Sequence, residues 1–337
     1  MNEPENTPME SASLPAFKNR STGLTVFGIL TILLGCAAAL MVLLVFVAMA
    51  LGAKNPNAAA TPLSSLVLAI LLNGGLAVGL VWLGIGSIKA RRWARALLLI
   101  FSWAWLMGGI IMTVNMGFFL PKTFENLPAT PGQPVMPPGA ITVMTIVVLL
   151  FTSVFFVLLP AIWTFFYASR HVKATCEMRD PVQRWTDACP LPVLALCLWL
   201  SFAVPFLLLM PILYHGVMPF FGVLLSGLPG SLLCLAVAAL WAYCAWRLYK
   251  LDVRGWWFVL IAILLYTVSS VITFMRHDVL EMYHAMGYPQ AEIDQIQKVG
   301  VFTGNSMVWM TVIFMVPFLG YILFVKKFLP GGKVAQP

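Results

Sequence analysis

The chain has 337 residues, of which 61% are hydrophobic and only 9% charged, with a formal net charge of +8 and a pI near 9.3. Soluble domains carry about a quarter charged residues, so this composition excludes that class and makes a lipid bilayer the solvent. A segment crossing about 30 Å of hydrocarbon must satisfy its own backbone, either with about 20 apolar residues in a helix or in a closed barrel, and the long apolar runs here select helices.

Residues 1–23 open with Glu3, Glu5 and Glu10 and lack apolar periodicity over 1–17, which predicts a disordered cytoplasmic N-terminus. Apolar runs then predict spans at 24–52, 62–88, 96–120, 141–167, 191–213, 219–246, 255–275 and 306–325. The first run is far longer than the roughly 7–15 residues of a signal-peptide core, so Ala48-Met49-Ala50 reads as part of an uncleaved span. Between the third and fourth spans, Pro121, Pro128, Pro131, Pro134, Pro137 and Pro138 predict a stiff, extended outer cover without regular structure. Residues 276–305 are expected to form an external amphipathic helical hairpin, and 329–337 a cytoplasmic tail.

Sixteen of the 20 Lys and Arg fall in alternate loops, from Lys18 and Arg20 through Arg91, Arg170, Arg184 and Lys250 to Lys327 and Lys333. The opposite side holds only Lys54, Lys122, Arg276 and Lys298. The positive-inside rule therefore puts both termini in the cytoplasm of a multi-pass protein in a plasma (inner) membrane, of bacterial type. Anionic lipid head groups are the expected counterpart of this charge, and nucleic acid is not. Cys36, Cys197, Cys234 and Cys244 fall within spans and Cys176 and Cys189 in a cytoplasmic loop, so no disulfide is expected on the oxidising side.

Cutting the chain near residue 185 gives two similar four-span units in parallel orientation, 24–185 and 186–328. Gly35-Cys36 matches Leu196-Cys197, and Trp93 matches Trp256, at offsets that differ by only two residues. Two stripes of small residues predict close helix packing: Gly222, Ser226, Gly230, Cys234 and Ala238 in the sixth span, and Gly75, Gly79 and Gly86 in the second. Pro160, Pro205, Pro211, Pro229 and Pro317 are expected to kink their spans and free backbone carbonyls near mid-membrane.

All 12 acidic residues fall in loops or tails, so the spans hold no carboxylate relay of the kind proton-coupled pumps use. Hydroxyls and amides at Asn73, Thr113, Asn115, Thr152, Ser153, Thr267, Ser269, Ser270 and Asn305 are available for a sodium site, although interhelical hydrogen bonding is the commoner role. His277, Glu281 and His284, at i, i+4 and i+7, share one helical face and form a candidate metal set, with His215 at hand in the loop after the fifth span. The opposing reading is a helix lying flat at the interface, with Val279, Tyr283 and Met286 on its apolar side. No histidine lies within a span, which removes the haem-ligating arrangement, and no catalytic or phosphate-binding motif is present, so no cofactor is implied.

The sequence thus describes an all-α polytopic membrane protein with eight transmembrane helices, whose partners are the bilayer and other membrane subunits. Its best functional reading is a non-catalytic accessory, scaffold or sensor component. The alternative is a carrier or channel for a small neutral or apolar solute.

Overall fold

The computed structural model describes residues 17–52, 63–125, 137–299 and 304–330. The expected disordered residues 1–16, the proline-rich stretch 126–136 and the tail beyond 330 lie outside this set. Helices follow in the order α1 (Ser21–Gly52), α2 (Leu63–Ile88), α3 (Arg92–Glu125), α4 (Pro138–Ser153), a π-turn (Val154–Leu158), α5 (Leu159–Ala168) and α6 (Arg170–Arg179). After them come α7 (Leu191–Tyr214), a β-hairpin of β1 (Met218–Phe220) and β2 (Val223–Leu225), α8 (Gly227–Tyr249), α9 (Val253–Arg276), α10 (Val279–Ala285), α11 (Gln290–Val299) and α12 (Gly304–Val325). Eight helices among the described residues are long and apolar enough to cross a membrane, with α4, the π-turn and α5 forming one of them. Pro121, expected in a loop, instead sits inside the last turns of α3.

The main difference from the sequence reading is at 218–225. Hydropathy extends the sixth span back to residue 219, but α8 begins at Gly227 and the apolar run before it folds as an antiparallel hairpin. Its two-residue turn, Phe221-Gly222, has φ of 43° and 89°, the doubly left-handed geometry that matches the natural twist of paired strands. Gly222 and Ser226 therefore lie outside the helix, with Ser226 at the N-cap of α8, while Gly230, Cys234 and Ala238 are buried along it as expected. Pro229 falls in the first turn of α8, where a missing N–H costs nothing, so it does not kink a span.

Close packing of α1 on α2 uses different glycines from those the spacing suggested. A Cβ on Gly28 would meet the Gly84 carbonyl at 2.8 Å, one on Gly84 would meet the Gly28 carbonyl at 2.7 Å, and one on Gly35 would meet the Ala77 carbonyl at 3.0 Å. The two pairs are one heptad apart on each helix, in opposite directions, as a single antiparallel seam requires. Gly75 and Gly79 have open space where a Cβ would project. Gly86 is in contact, but with Trp93 and Ala94.

Pro160 acts as expected. It brings no N–H to the carbonyl of Phe156, four residues earlier, and the helix widens into a π-turn there. The Phe156 carbonyl faces Gly109 of α3 so closely that a Cβ at 109 would collide with it.

Two separate buried clusters form the interior. One joins Leu24, Leu98, Trp163, Tyr167, Val172 and Cys176, and the other joins Val193, Leu200, Trp241, Trp256, Ile263 and Ile322. Residues matched between the halves occupy different surroundings: Cys36 is exposed and Cys197 buried, and Trp93 stacks on Trp82 whereas Trp256 is 1% exposed and donates to the Ile322 carbonyl at 2.7 Å.

Candidate functional site

Polar side chains gather at the two ends of the bundle. At the end opposite the basic loops, Ser269, Thr273 and His277 stand at steps of four and hence on one face of α9. The hairpin lies against this face, and its turn is held by all three. Phe221 N–H donates to Ser269 Oγ at 2.9 Å, Gly222 N–H donates to Thr273 Oγ1 at 3.0 Å, and Ser269 Oγ donates to the Pro219 carbonyl at 3.2 Å. His277 Nε2 lies 3.1 Å from the Gly222 carbonyl. Irregular backbone near membrane depth is tolerated only when protein satisfies it, and this face of α9 does so. Gly222 is favoured by its positive φ, and a side chain there would displace that of Arg276.

His277 closes α9, and its other ring nitrogen, Nδ1, lies 2.6 Å from Glu281 Oε2 on α10. Each ring nitrogen of His277 thus faces one protein acceptor. Asp278 starts α10 by accepting from the Val279 N–H at 2.9 Å. The arrangement links three elements, hairpin, α9 and α10, through one side chain.

Of the candidate metal set, the structure brings His277 and Glu281 together, with both imidazole nitrogens facing protein acceptors. His284 is exposed in the last turn of α10, and His215 lies at the left-handed end of α7 with its ring against Gly287. Among the described residues no three His, Cys, Asp or Glu side chains come together as a metal-binding group. The cap is instead tied to the bundle by rings, with Tyr288 parallel to Tyr214 and edge-on to Tyr283 at 4.9 Å. Burial raises the Tyr283 and Tyr288 phenols above their ordinary range.

The basic end holds a second network. Asp180 is 2% exposed and accepts from Arg91 Nη1 at 3.4 Å, the Arg92 N–H at 3.4 Å and Arg184 Nη2 at 3.5 Å. Because Arg92 is the first residue of α3, Asp180 places a carboxylate at that helix's positive end. Arg92 also pairs with Asp187 at 3.6 Å and Glu177 at 3.7 Å. These contacts fasten the segment between α6 and α7 across the start of α3. His171 accepts the Lys18 N–H at 3.3 Å through Nδ1. Burial pushes the Cys176 thiol up to about 11, partly opposed by nearby Arg95, and burial pushes the Cys189 thiol up to about 11 as well.

Several of the hydroxyls and amides considered for a sodium site are spent locally, whereas Thr113 Oγ1 and Asn115 Oδ1 are buried without a hydrogen-bond partner. Asn73, Asn115 and Thr267 each donate to the carbonyl four residues back on their own helix, and Thr152 contacts Met116 Sδ. The role of Ser269 and Thr273 in holding a hairpin was missed because the hairpin was read as helix; their spacing of four, continued by His277, is the signal that marks the face. Comparison with protein-family models, curated proteins and solved structures finds no match to the chain.

Proposed function

We propose that this chain is a non-catalytic component of a bacterial plasma (inner) membrane, an accessory, scaffold or sensor subunit with both termini in the cytoplasm. The observation carrying this reading is the use of its polar groups. Polar side chains that could serve a carrier or enzyme are engaged by backbone at the hairpin, at Asp180 and at Thr267, although Thr113 Oγ1 and Asn115 Oδ1 of α3 are buried without a partner. The two separate cores support an organisation into units 24–185 and 186–328, each packed around its own interior.

The alternative, a carrier for a small neutral or apolar solute, draws support from a cavity of about 460 Å³ between α7 and α8. Purification from native membranes in mild detergent, followed by flux measurement in liposomes, separates the two. A membrane subunit that co-purifies in fixed stoichiometry, with no flux above empty liposomes, is the expected result. A chain that purifies alone and equilibrates a neutral solute overturns the proposal.

A further inference from the structure

The groove between α7 and α8 reaches the basic end, where Trp185, Leu194 and Tyr249 line it. One wall runs along α7 from Leu194 to Val204, about 15 Å at roughly 1.5 Å per residue, and passes Cys197 and Ser201. The other runs along α8 through Ala242 and Trp246 to Tyr249. The lining contains no charged side chain. Trp185, from the segment between α6 and α7, completes the mouth, and its carbonyl accepts from Tyr249 Oη at 3.0 Å. The space is thus long, apolar and entered from the membrane surface, with indoles at Trp185 and Trp246 where interfacial aromatic rings belong.

Two basic residues flank the lining in sequence: Arg184, which also reaches Asp180 at 3.5 Å, precedes Trp185, and Lys250 follows Tyr249, and both are exposed. Nearby carboxylates are already engaged: Asp180 by Arg91 and Arg184, Asp187 by Arg92, and Asp252 by Arg247 at 3.1 Å. Basic pockets between membrane helices suit anionic lipid head groups, and about 460 Å³ lies within the roughly 300–1,000 Å³ of built ligand sites.

We infer that this groove is a specific site for an anionic phospholipid of the leaflet at the basic end. One acyl chain lies between α7 and α8, Trp185 and Trp246 flank the glycerol region, and the phosphate faces Arg184 and Lys250. The site stands whether the protein is an accessory subunit or a carrier.

The test is intact-complex mass spectrometry of the full chain, released from bilayers of equal phosphatidylglycerol and phosphatidylcholine. Wild type should retain one phospholipid, with phosphatidylglycerol favoured several-fold. Ala242→Phe, filling the groove from an exposed position on α8, should abolish retention. Ser201→Phe does the same from exposed α7 and serves if the first variant misfolds. Arg184→Gln with Lys250→Gln should keep one lipid but lose the head-group preference. Equal retention of the two lipids by wild type, or retention undiminished in both groove-filling variants, overturns the inference and leaves only ordinary boundary lipid.

Discussion

Gly109→Ala tests how the proline-induced π-turn is accommodated. The added methyl would collide with the Phe156 carbonyl, a backbone atom that cannot rotate aside as the Phe166 ring facing Gly23 can. Relief requires α3 and the α4–α5 span to separate, and overpacking of this kind costs about 1–3 kcal/mol, occasionally more. A loss of about 3 kcal/mol is expected at position 109. At Gly79, where a Cβ meets open space, the same substitution should instead stabilise by about 0.5–1 kcal/mol, because alanine is the better helix former. Pro160→Ala restores an N–H to the Phe156 carbonyl and lets it turn back into its own helix, so it should partly rescue Gly109→Ala. Unfolding in mixed micelles measures all four members of the double-mutant cycle. Coupling above about 0.5 kcal/mol is expected. Strict additivity, or equal effects at positions 109 and 79, would refute the account.

At the other ends of the spans the consequences are local. Trp256→Phe leaves the buried Ile322 carbonyl without its indole donor and should cost about 1–3 kcal/mol in the same assay, whereas Trp257→Phe, at an exposed neighbour, should cost little. His277→Leu removes the ring that contacts both Gly222 and Glu281 and should release the hairpin, read as faster labelling of a cysteine placed at Phe221; His277→Gln, which can still donate to Gly222, should label at an intermediate rate. A thiol raised from 9.0 to about 11 holds about 100-fold less thiolate at pH 8, so Cys176 and Cys189 should resist alkylation there and become reactive only towards pH 11. The linkage follows the same sign: the folded state keeps these protons to higher pH than the unfolded chain, so their contribution to stability is present below pH 9 and is lost as pH rises through 11. Labelling of Cys176 at pH 8 as fast in the folded protein as in the denatured chain would contradict the burial.

Much of this fold is legible in the sequence because the bilayer imposes a length and a polarity, and both are one-dimensional. The span read as 191–213 is the helix Leu191–Tyr214, and the span read as 255–275 is Val253–Arg276. The hairpin was missed for the same reason. Met218 to Leu225 is as apolar as any span, and hydropathy carries no information on whether the backbone pairs with itself four residues along or with a neighbouring strand. Which small residues make contact was equally hidden. Gly75 and Gly79 have the spacing of a packing motif, but Gly28 and Gly84 make the crossing, because the choice depends on how α1 and α2 are rotated about their axes. The candidate site was half legible: His277 and Glu281 do meet, but across the break between α9 and α10 and not on the single helical face read from their spacing, while the hairpin carbonyl on the other side of the imidazole comes from a distant segment.

The polar residues of this protein follow one rule that bears on its function. A bilayer leaves helix ends and non-helical turns with backbone groups that water cannot serve, and each exposed group costs several kcal/mol in hydrocarbon. Here side chains from other segments serve such groups and also take second lone pairs on carbonyls within helices. Ser87 takes the Leu24 carbonyl at 3.0 Å, Tyr321 the Pro192 carbonyl at 2.6 Å, Trp256 the Ile322 carbonyl, Asp180 the Arg92 N–H, and Ser269, Thr273 and His277 the hairpin turn. A side chain engaged in this way is not free to bind and release a solute. That is the physical basis for preferring a subunit whose folded surface is its function, with the α7–α8 groove proposed above as a phospholipid site.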